Sequence, residues 1–558
     1  MAIVVASIGA AILVFWTATS RPMWVDEEML ALNVRDRAFH QLTGALWLDQ
    51  SAPLGWLALE RLAMIGLGTG ERAVRLLTVL FGSGTLATAV WIGRRWMGPV
   101  GAVVLAALCA FGEWIVFFTL ELKHYSADTF WALLLPALAA WTLEAPDAAA
   151  TRRRLAGWWA AATAGQWLGN GALFVTPACA VVLWVACWRR DGWRRDGRVF
   201  ATAGLLWLGS FALCYAIVLR YAIENAYLKN YWAFAFPPTA DGARATLSWL
   251  GAQLGPFAVK PGGSGLPGLF WASCAGGIAF AVARRSRCFS LGVMFATVPL
   301  SALALGLLHV IPPFERLALW SVPALYAGVG MCADGCGWLA RRVFRERRVA
   351  LPVALAGLIT AGIAAGLAAG AVTVDVVRRG VSALEHRPRS NYGLDDRSSV
   401  RWTLASRRQG DAVMTTHYGL AAMWWYGGVN ISDRERSGHF EDGTPMFEIG
   451  YVPAGPECDR WDAAMTDALA GRARVVLYLG FRLNVEPVGF DDLVLEVLGR
   501  RGALVGYKEY AEESRLAVFD LRESTGGRLV IPRRPGRSSD PIPRAVDGCV
   551  SLKPARRW

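Results

Sequence analysis

Charged residues are scarce in this chain. Asp, Glu, Lys and Arg make up 18% of its 558 residues, while hydrophobic residues make up 54% before its 59 glycines are counted. Soluble domains contain about 25% charged residues and about 45–50% apolar residues with glycine included. The composition therefore excludes a soluble enzyme, a disordered scaffold and a small disulfide-stapled secreted domain, and it predicts a membrane protein.

Lysine and histidine are rarer still. The chain has five lysines and six histidines, and the histidines never recur at the spacing of metal ligands. The net charge of +13 comes from arginine, which gathers between apolar stretches at 94–95, 152–154, 189–198, 284–287 and 341–348. This distribution is typical of cytoplasmic loops under the positive-inside rule, so it does not indicate a nucleic-acid partner.

The ten cysteines form no disulfide framework. Most lie in or beside apolar stretches, where a free thiol behaves as a small hydrophobe. Only Cys458 and Cys549 lie in the polar C-terminal region. They form a disulfide if that region faces an oxidising compartment, which the sequence leaves open.

Eleven apolar stretches predict membrane spans, because about 20 apolar residues cross a bilayer. One long stretch is interrupted by Gly-Asn-Gly at 169–171, which predicts two tilted or short helices that meet near the far face. The stretches lie at about 3–19, 73–93, 99–118, 127–145, 155–168, 172–188, 199–219, 266–283, 288–309, 316–340 and 349–375.

The arginine clusters also predict the orientation. Each predicted span moves the chain to the other side of the membrane, so counting the spans between the clusters places the N-terminus and every cluster in the cytoplasm. The loops at 20–72, 119–126, 220–265 and 310–315 then lie outside, together with everything after about residue 376. Residues 1–375 are thus predicted to form an α-helical polytopic membrane domain, in which the outer loop 20–72 carries interfacial helices.

Residues 376–532 are predicted to form an extracytoplasmic α/β domain. Apolar periodicity indicates three helices and three strands there. The helices are Ser398–Gln409, one that follows the first strand, and Phe490–Arg500, and the strands are Asp411–Thr416, Arg474–Leu479 and Arg515–Leu521. The last stretch, 533–558, is rich in Pro, Arg and Ser and is predicted to be a flexible tail.

An acidic segment, Trp24–Glu28, follows the first predicted span. In one interpretation Asp26 caps an interfacial helix, and Glu27 and Glu28 complement its dipole. In the other, Asp26 is a general base placed over an acceptor hydroxyl at the lipid boundary.

Further polar residues at the predicted outer ends of other helices favour the second interpretation. Each alone is explained as a helix-end group that reaches the interface, but together they predict one cleft in which cations hold a phosphate. They are Arg72, Arg75, Glu121, Lys123, His124, Tyr125, Asp128 and Arg316.

The predicted outer loop 220–265 is rich in aromatic residues. An interfacial aromatic belt is the favoured interpretation. The alternative is an amphipathic helix that guides a lipid or an acceptor into the cavity.

Several of these motifs, in this order, resemble the integral-membrane GT-C glycosyltransferases. The pattern is similar to the bacterial protein O-mannosyltransferase and aminoarabinose lipid A transferase superfamily (glycosyltransferase family 39-like), over roughly residues 1–375. The motifs are W-x-D-E at 24–27, Ala-Pro-Leu at 52–54, Gly-Thr-Gly-Glu-Arg-Ala-Val-Arg-Leu at 68–76, Glu-x-Lys-x-Tyr at 121–125 and Phe-x-Arg-Leu at 314–317.

The resemblance implies an enzyme that uses a sugar donor carried on polyprenyl phosphate. The sugar is transferred with inversion, on the outer face of a bacterial plasma membrane, to a glycan, glycolipid or protein acceptor. Asp26 maps onto the base, and Glu27 supports it or binds a divalent cation (Mg²⁺ or Mn²⁺) in branches that use one. Arg75, Lys123 and Arg316 map onto donor phosphate-binding positions, and Arg72, Glu121, His124, Tyr125 and Asp128 line the substrate pocket.

One position departs from the family pattern. Many relatives have a lysine before two prolines where this chain has Ser51-Ala52-Pro53, so Lys123 is expected to supply that phosphate contact. The sequence identifies neither the sugar nor the acceptor, and it leaves metal dependence open.

Two other classes stay open: a secondary transporter or flippase of lipid-linked sugars, and a non-catalytic subunit of polysaccharide assembly. Transporters often carry repeat-related halves and broken helices at the membrane midplane. Here the ionisable groups gather at helix ends on one predicted face and an additional domain follows the last span, which favours the enzyme.

Overall fold

The chain divides into two compact units. The computed structural model describes residues 1–189, 193–283, 288–345, 353–386, 394–429, 438, 440–481, 487, 489–510, 514–523 and 547–552. The first unit comprises Met1–Ser20 and Arg37–His386, and the second comprises Arg21–Asp36 and Arg387–Trp558. The second unit thus contains part of the predicted first outer loop, which no pattern in the sequence indicated.

Helices form almost all of the first unit, because a helix satisfies the backbone hydrogen bonds of an apolar segment internally. In chain order the helices are α1 (Ala2–Ala18), α2 (Val25–Asp36, in the second unit), α3 (Leu54–Leu67), α4 (Leu76–Trp96), α5 (Pro99–Phe111), α6 (Glu113–Thr119), α7 (Tyr125–Leu143), α8 (Ala148–Leu168), α9 (Asn170–Trp188), α10 (Trp193–Cys214), α11 (Arg220–Glu224), α12 (Ala226–Trp232), α13 (Ala243–Val259), α14 (Pro267–Ala283), α15 (Phe289–Leu307), α16 (Val322–Arg345) and α17 (Val353–His386). Single 3₁₀ turns cover Phe39–Leu42, Trp47–Asp49, Ala73–Arg75 and Glu315–Ser321.

Several of these helices can cross a membrane. Among the described residues, six segments are long and apolar enough, or seven if α5 and α6 count as one bent span: Ala73–Trp96, Tyr125–Leu143, Asn170–Trp188, Asp196–Glu224, Phe289–Leu307 and Glu315–Gly335. Helices α1 and α14 are apolar but shorter. The protein is therefore a multi-pass membrane protein, and the full number of eleven spans stays a prediction.

The predicted cytoplasmic arginine clusters are only partly described. Residues 190–192, 284–287 and 346–352 lie outside the described part of the chain. The orientation of the termini therefore stays a prediction.

Helices α5 and α6 are bent by 51° at Gly112. A Cβ at this position would lie 2.7 Å from the Tyr326 hydroxyl and 2.7 Å from the Leu108 carbonyl oxygen. The Tyr326 hydroxyl in turn donates to the carbonyl of Gly262 at 3.0 Å. Only glycine leaves room for this approach, so the bend follows from the packing of α16 against α5.

The predicted interruption at 169–171 is confirmed. Helix α8 ends at Leu168 and α9 begins at Asn170. The Gly171 N–H donates to Asp128 Oδ1 at 3.2 Å, and a Cβ at Gly171 would lie 2.1 Å from the Asp128 carbonyl oxygen. The break is thereby fixed against the first turn of α7.

A six-stranded sheet forms the centre of the second unit. Its strands are β1 (Ala412–Thr416), β2 (Met446–Pro453), β3 (Arg474–Leu479), β4 (Ala503–Tyr510), β5 (Ser514–Asp520) and β6 (Gly548–Leu552), in the order β4-β5-β3-β1-β2-β6. Strand β1 runs parallel to β2 and β3, and the outer pairings are antiparallel. Strands β1 and β3 are buried throughout, so they read as continuous apolar runs.

The remaining helices cover this sheet: α18 (Asp396–Ser406), α19 (His417–Gly427), α20 (Glu457–Leu469) and α21 (Phe490–Gly499). The predicted helices at 398–409 and 490–500 correspond to α18 and α21, and the three predicted strands correspond to β1, β3 and β5. These predictions are confirmed to within three residues. Helix α18 begins earlier than predicted because the Asp395 side chain accepts from the Ser398 N–H at 2.9 Å and caps it.

The prediction of a flexible tail over 533–558 is wrong for residues 548–552, which form β6. This strand pairs with β2 in register Tyr451↔Val550, and Val550 and Leu552 enter the core. Cys549 forms a disulfide with Cys458 at the start of α20. The rest of that stretch, apart from Asp547, lies outside the described residues.

We predict that Cys458→Ser lowers the free energy of unfolding of the second unit by about 2–4 kcal/mol, because the bond closes a long loop. Proteolysis in a urea series, on the full chain in nanodiscs, measures this loss. Reduction of the wild type should reproduce it, and a reductant should leave the variant unchanged. Equal unfolding midpoints of the variant and the oxidised wild type would contradict the prediction.

Candidate functional site

The acidic segment after α1 is built into the second unit. The Met23 N–H donates to the Tyr426 hydroxyl at 2.9 Å, and Arg35 donates to the Trp425 carbonyl at 3.2 Å while lying over its ring. Tyr426 and Trp425 both belong to α19. Helix α2, which carries Asp26 and Glu27, is therefore a packed element of the α/β domain.

The start of α2 lies at the carboxyl ends of the parallel strands. The Trp24 ring is 5.9 Å from the ring of Phe481, which follows β3. Tyr418, which follows β1, lies 6.0 Å from the same ring. Open α/β sheets bind ligands at this edge; here the chain's own segment occupies it.

The carboxylates of α2 differ in their surroundings. Asp26 is half-buried, whereas Glu27 and Glu28 are fully buried. Glu27 accepts from the Trp24 N–H at 3.2 Å and lies 3.7 Å from Arg21. Helix α2 begins at Val25, so Asp26 lies within its first turn and is not the residue that caps it.

Glu28 faces a second buried acid, Asp396 of α18. Burial, with Asp396 and Glu27 nearby, raises the pKa of Glu28 well above its usual value. Burial raises the pKa of Asp396 to about 7, although the Tyr478 hydroxyl donates to its Oδ1. Burial thus favours the neutral form of both acids where α2 and α18 face each other.

In the first unit, Lys123 lies in the turn between α6 and α7. Its Nζ donates to Gln50 Oε1 at 2.7 Å, and only 6% of the residue is exposed. Gln50 ends the 3₁₀ turn Trp47–Asp49 and precedes Ser51. Gln50 directly precedes Ser51-Ala52-Pro53, the segment that lacks the lysine expected from the family resemblance, and it orients Lys123.

His124 is held between two elements. Its Nε2 lies 3.1 Å from Asn170 Nδ2 and 3.6 Å from Asp128 Oδ2. Burial, and then the Lys123 charge, lower the pKa of His124 to about 3. The ring is therefore neutral at physiological pH, and the break between α8 and α9 fixes its orientation.

Arg75 reaches the same region through the backbone. Thr78 Oγ1 lies 2.8 Å from the carbonyl oxygens of both Arg75 and Thr119, which ends α6. Arg75 is almost fully buried. The structure thus brings the Arg75 turn against the segment that carries Glu121, Lys123, His124, Tyr125 and Asp128.

The other predicted residues are placed differently. Arg72 is exposed, and the Arg316 guanidinium lies 5.5 Å from the centre of the Trp232 ring in the aromatic loop. Asp26 and Glu27 belong to the second unit, so a common cleft with the residues of the first unit stays a prediction. Among the described residues, no group of three or more His, Cys, Asp and Glu side chains fits a metal ion, and no metal step is assigned.

Sequence reasoning missed three residues beside this cluster: Gln50, Trp56 and Asn170. The Trp56 ring meets that of His124 edge to face at 6.3 Å. Asn170 lies in a motif that was interpreted only as a helix break. Buried Glu60, one turn after Trp56 in α3, was also missed, although an ionisable residue buried in an otherwise apolar helix indicates a functional site.

We predict that Asp396→Asn reduces the pH dependence of the second unit's stability. The folded pKa of about 7 exceeds the unfolded value of about 3.9. The contribution of Asp396 is therefore full below about pH 4 and is lost as the pH rises through 7. Pulse proteolysis of the full chain from pH 5 to 8 measures the slope. Exposed Asp459→Asn is the control and should keep the wild-type slope; a wild-type slope in Asp396→Asn would contradict the prediction.

No family model matches the chain, and no curated protein does. Among solved structures, ArnT from Cupriavidus metallidurans in the apo state is similar at a TM-score of 0.51 and 13% identity, over 92% of this chain and 97% of that chain. The arabinofuranosyltransferase AftD from Mycobacteria gives 0.46 at 13% identity, over 92% and 40%. The Archaeoglobus fulgidus oligosaccharyltransferase gives 0.44 at 12% identity, over 85% and 67%. The likeness to ArnT shows that this chain has the fold of the GT-C membrane glycosyltransferases.

Proposed function

We propose that the protein transfers a sugar from a polyprenyl-phosphate carrier to an envelope acceptor on the outer face of a bacterial plasma membrane. The observation that carries the proposal is the polar cluster at the start of α7. Lys123, His124 and Asp128 are each less than 10% exposed there. Such groups are expensive to bury at a membrane helix end and mark a site by default. The GT-C fold supports the glycosyltransferase assignment.

In this proposal Asp26 accepts the proton of an acceptor hydroxyl. The hydroxyl oxygen then bonds to the anomeric carbon from the face opposite the phosphate. The bond from that carbon to the phosphate oxygen breaks, and its electron pair leaves with the polyprenyl phosphate. The configuration at the anomeric carbon is thereby inverted.

Cations stabilise the phosphate that leaves, because its charge grows as the bond breaks. Lys123 and Arg75 take this role in the proposal, with Arg316 as a third contact. Arg72, Glu121, His124, Tyr125 and Asp128 line the substrate pocket. Gln50 fixes the Lys123 ammonium, so little orientational freedom is lost when the donor binds.

The disulfide between Cys458 and Cys549 supports an extracytoplasmic C-terminal domain. Structural disulfides persist in oxidising compartments such as the bacterial periplasm. This placement agrees with the predicted cytoplasmic N-terminus and with eleven spans, since an odd number of crossings puts the two ends on opposite sides.

We predict that Asp26→Asn abolishes transfer, because the amide cannot accept the proton, while the protein stays folded and inserted. Release of free carrier from radiolabelled polyprenyl-phosphate sugars measures the reaction. Asp36→Asn, at the other end of α2, is the matched control and should retain activity. Near-normal turnover in Asp26→Asn would eliminate the base assignment. Donor relocated unchanged would indicate a transporter, and donor retained without release a binding subunit.

We predict that Lys123→Gln raises the KM for the donor by about 10–100-fold, since a hydrogen bond to a charged group contributes about 1.5–3 kcal/mol. Gln50→Ala should raise it less, because the ammonium is retained but loses its orientation. Steady-state kinetics with varied donor separate the two effects. Unchanged donor KM in Lys123→Gln, with the fold intact, would rule out the phosphate contact.

A further inference from the structure

Helix α3 exposes its apolar residues and buries its acid. Leu62, Ile65 and Leu67 are 61–73% exposed, whereas Trp56 and Glu60 are fully buried. An exposed apolar face suits a helix that lies in the lipid interface. The buried stripe of such a helix faces protein, and here that stripe carries a glutamate.

The position of α3 is fixed by close packing. A Cβ at Gly55 would lie 2.6 Å from the carbonyl oxygen of Trp167 at the end of α8. Trp56 meets the His124 ring, and Glu60 follows on the same helix face, about 6 Å further along the axis. Glu60 therefore lies on the same face of α3 as Trp56, the residue whose ring meets His124.

Four buried polar groups on these two elements have no hydrogen-bond partner within the described part of the chain. They are both carboxyl oxygens of Glu60, the indole N–H of Trp56, Nδ1 of His124 and Oγ of Ser126. Leaving such groups unsatisfied costs about 1–3 kcal/mol each, and native proteins satisfy them with solvent or a ligand. Their concentration between α3 and the start of α7 points to a ligand with several hydroxyl groups.

These four groups are polar but carry little charge. Burial raises the pKa of Glu60 well above its usual value, so its carboxyl group offers one O–H donor and one carbonyl acceptor. His124 is neutral, and Trp56 adds an N–H donor beside an apolar ring. A neutral set of donors and acceptors matches neutral hydroxyl groups and disfavours a charged ligand.

We propose that Trp56, Glu60 and His124 form the subsite for the sugar ring of the donor, and that Glu60 selects a neutral, hydroxyl-bearing sugar. The proposal rests on the proposed function. It adds a substrate class to it: an uncharged pentose or hexose, rather than a uronic acid or an amino sugar.

The test measures equilibrium binding to the full chain in nanodiscs, independently of turnover. The probes are polyprenyl phosphate alone and the same carrier bearing a neutral sugar. Glu60→Ala should weaken binding of the sugar-bearing carrier by about tenfold or more, the equivalent of one or two lost hydrogen bonds. Binding of the bare carrier should stay within about twofold, because the phosphate contacts are unchanged.

Two further variants separate recognition from packing. Glu60→Gln keeps a donor and an acceptor of the same size, so it should restore most of the affinity for the sugar-bearing carrier. Leu62→Ala, on the exposed face of α3, is the matched control and should bind both probes as the wild type does.

Four results would overturn the proposal. Equal weakening of both probes by Glu60→Ala would make Glu60 merely structural. Loss in Glu60→Gln as large as in Glu60→Ala would require an ionised carboxylate, and so would tighter binding of an amino-sugar carrier. If the wild type binds the sugar selectively but never transfers it, the proposed function fails while the subsite stands. If the protein transfers the sugar but Glu60→Ala changes the binding of neither probe, the subsite proposal fails while the proposed function stands.

Discussion

The hydrogen bond from the Gly171 N–H to Asp128 determines the geometry of the cluster in the first unit. It joins the first turn of α7 to the break between α8 and α9, and only a glycine allows the two backbones to approach so closely. Asn170 and Asp128 then meet Nε2 of His124 from two sides, and the adjacent Lys123 is directed to Gln50. One backbone contact thus places an imidazole and an ammonium in a region where neither is readily buried.

In the second unit, a segment from the beginning of the chain, Arg21–Asp36, packs with the C-terminal sheet and its helices. Trp24 fills the edge at which parallel strands end, and Glu28 reaches the buried Asp396 of α18. The partners of the proposed base's helix are therefore residues of the C-terminal domain. The C-terminal domain thereby becomes part of the structure that orients Asp26 in the proposed function.

Apolar periodicity predicted most of the long helices, the break at 169–171, and the strands β1, β3 and β5, because those elements carry long apolar runs. It missed α13, which lies in the predicted outer loop 220–265, and it missed α20 and β4. It missed β2, in which buried Glu448 pairs with His417 at 3.2 Å and interrupts the apolar run. It also missed β6, whose five residues are surrounded by Pro and Arg. The sequence could not show that Glu60 is buried. In soluble proteins the apolar face of a helix is the buried one, but the exposed face of α3 is apolar, so composition does not tell which face is buried. The packing of α2 in the second unit depends on contacts such as that between Met23 and Tyr426, which are 403 positions apart, and no local pattern encodes them.

The charges in the cluster are distributed unequally, and this inequality has a chemical consequence. Burial, and then the charge of Lys123, lower the pKa of His124, and burial raises the pKa of the Glu60 carboxyl well above its usual value. Positive charge therefore concentrates on the lysine and on Arg75, while the surfaces around them remain polar but uncharged. In the proposed reaction, negative charge develops only on the phosphate that leaves, and the sugar stays uncharged apart from a transient positive character at the anomeric carbon. Cations placed only beside the phosphate stabilise the transition state more than the ground state, because negative charge grows there as the bond breaks. The uncharged side chains in the rest of the site can bind the hydroxyl groups of the sugar without forming ion pairs with these cations.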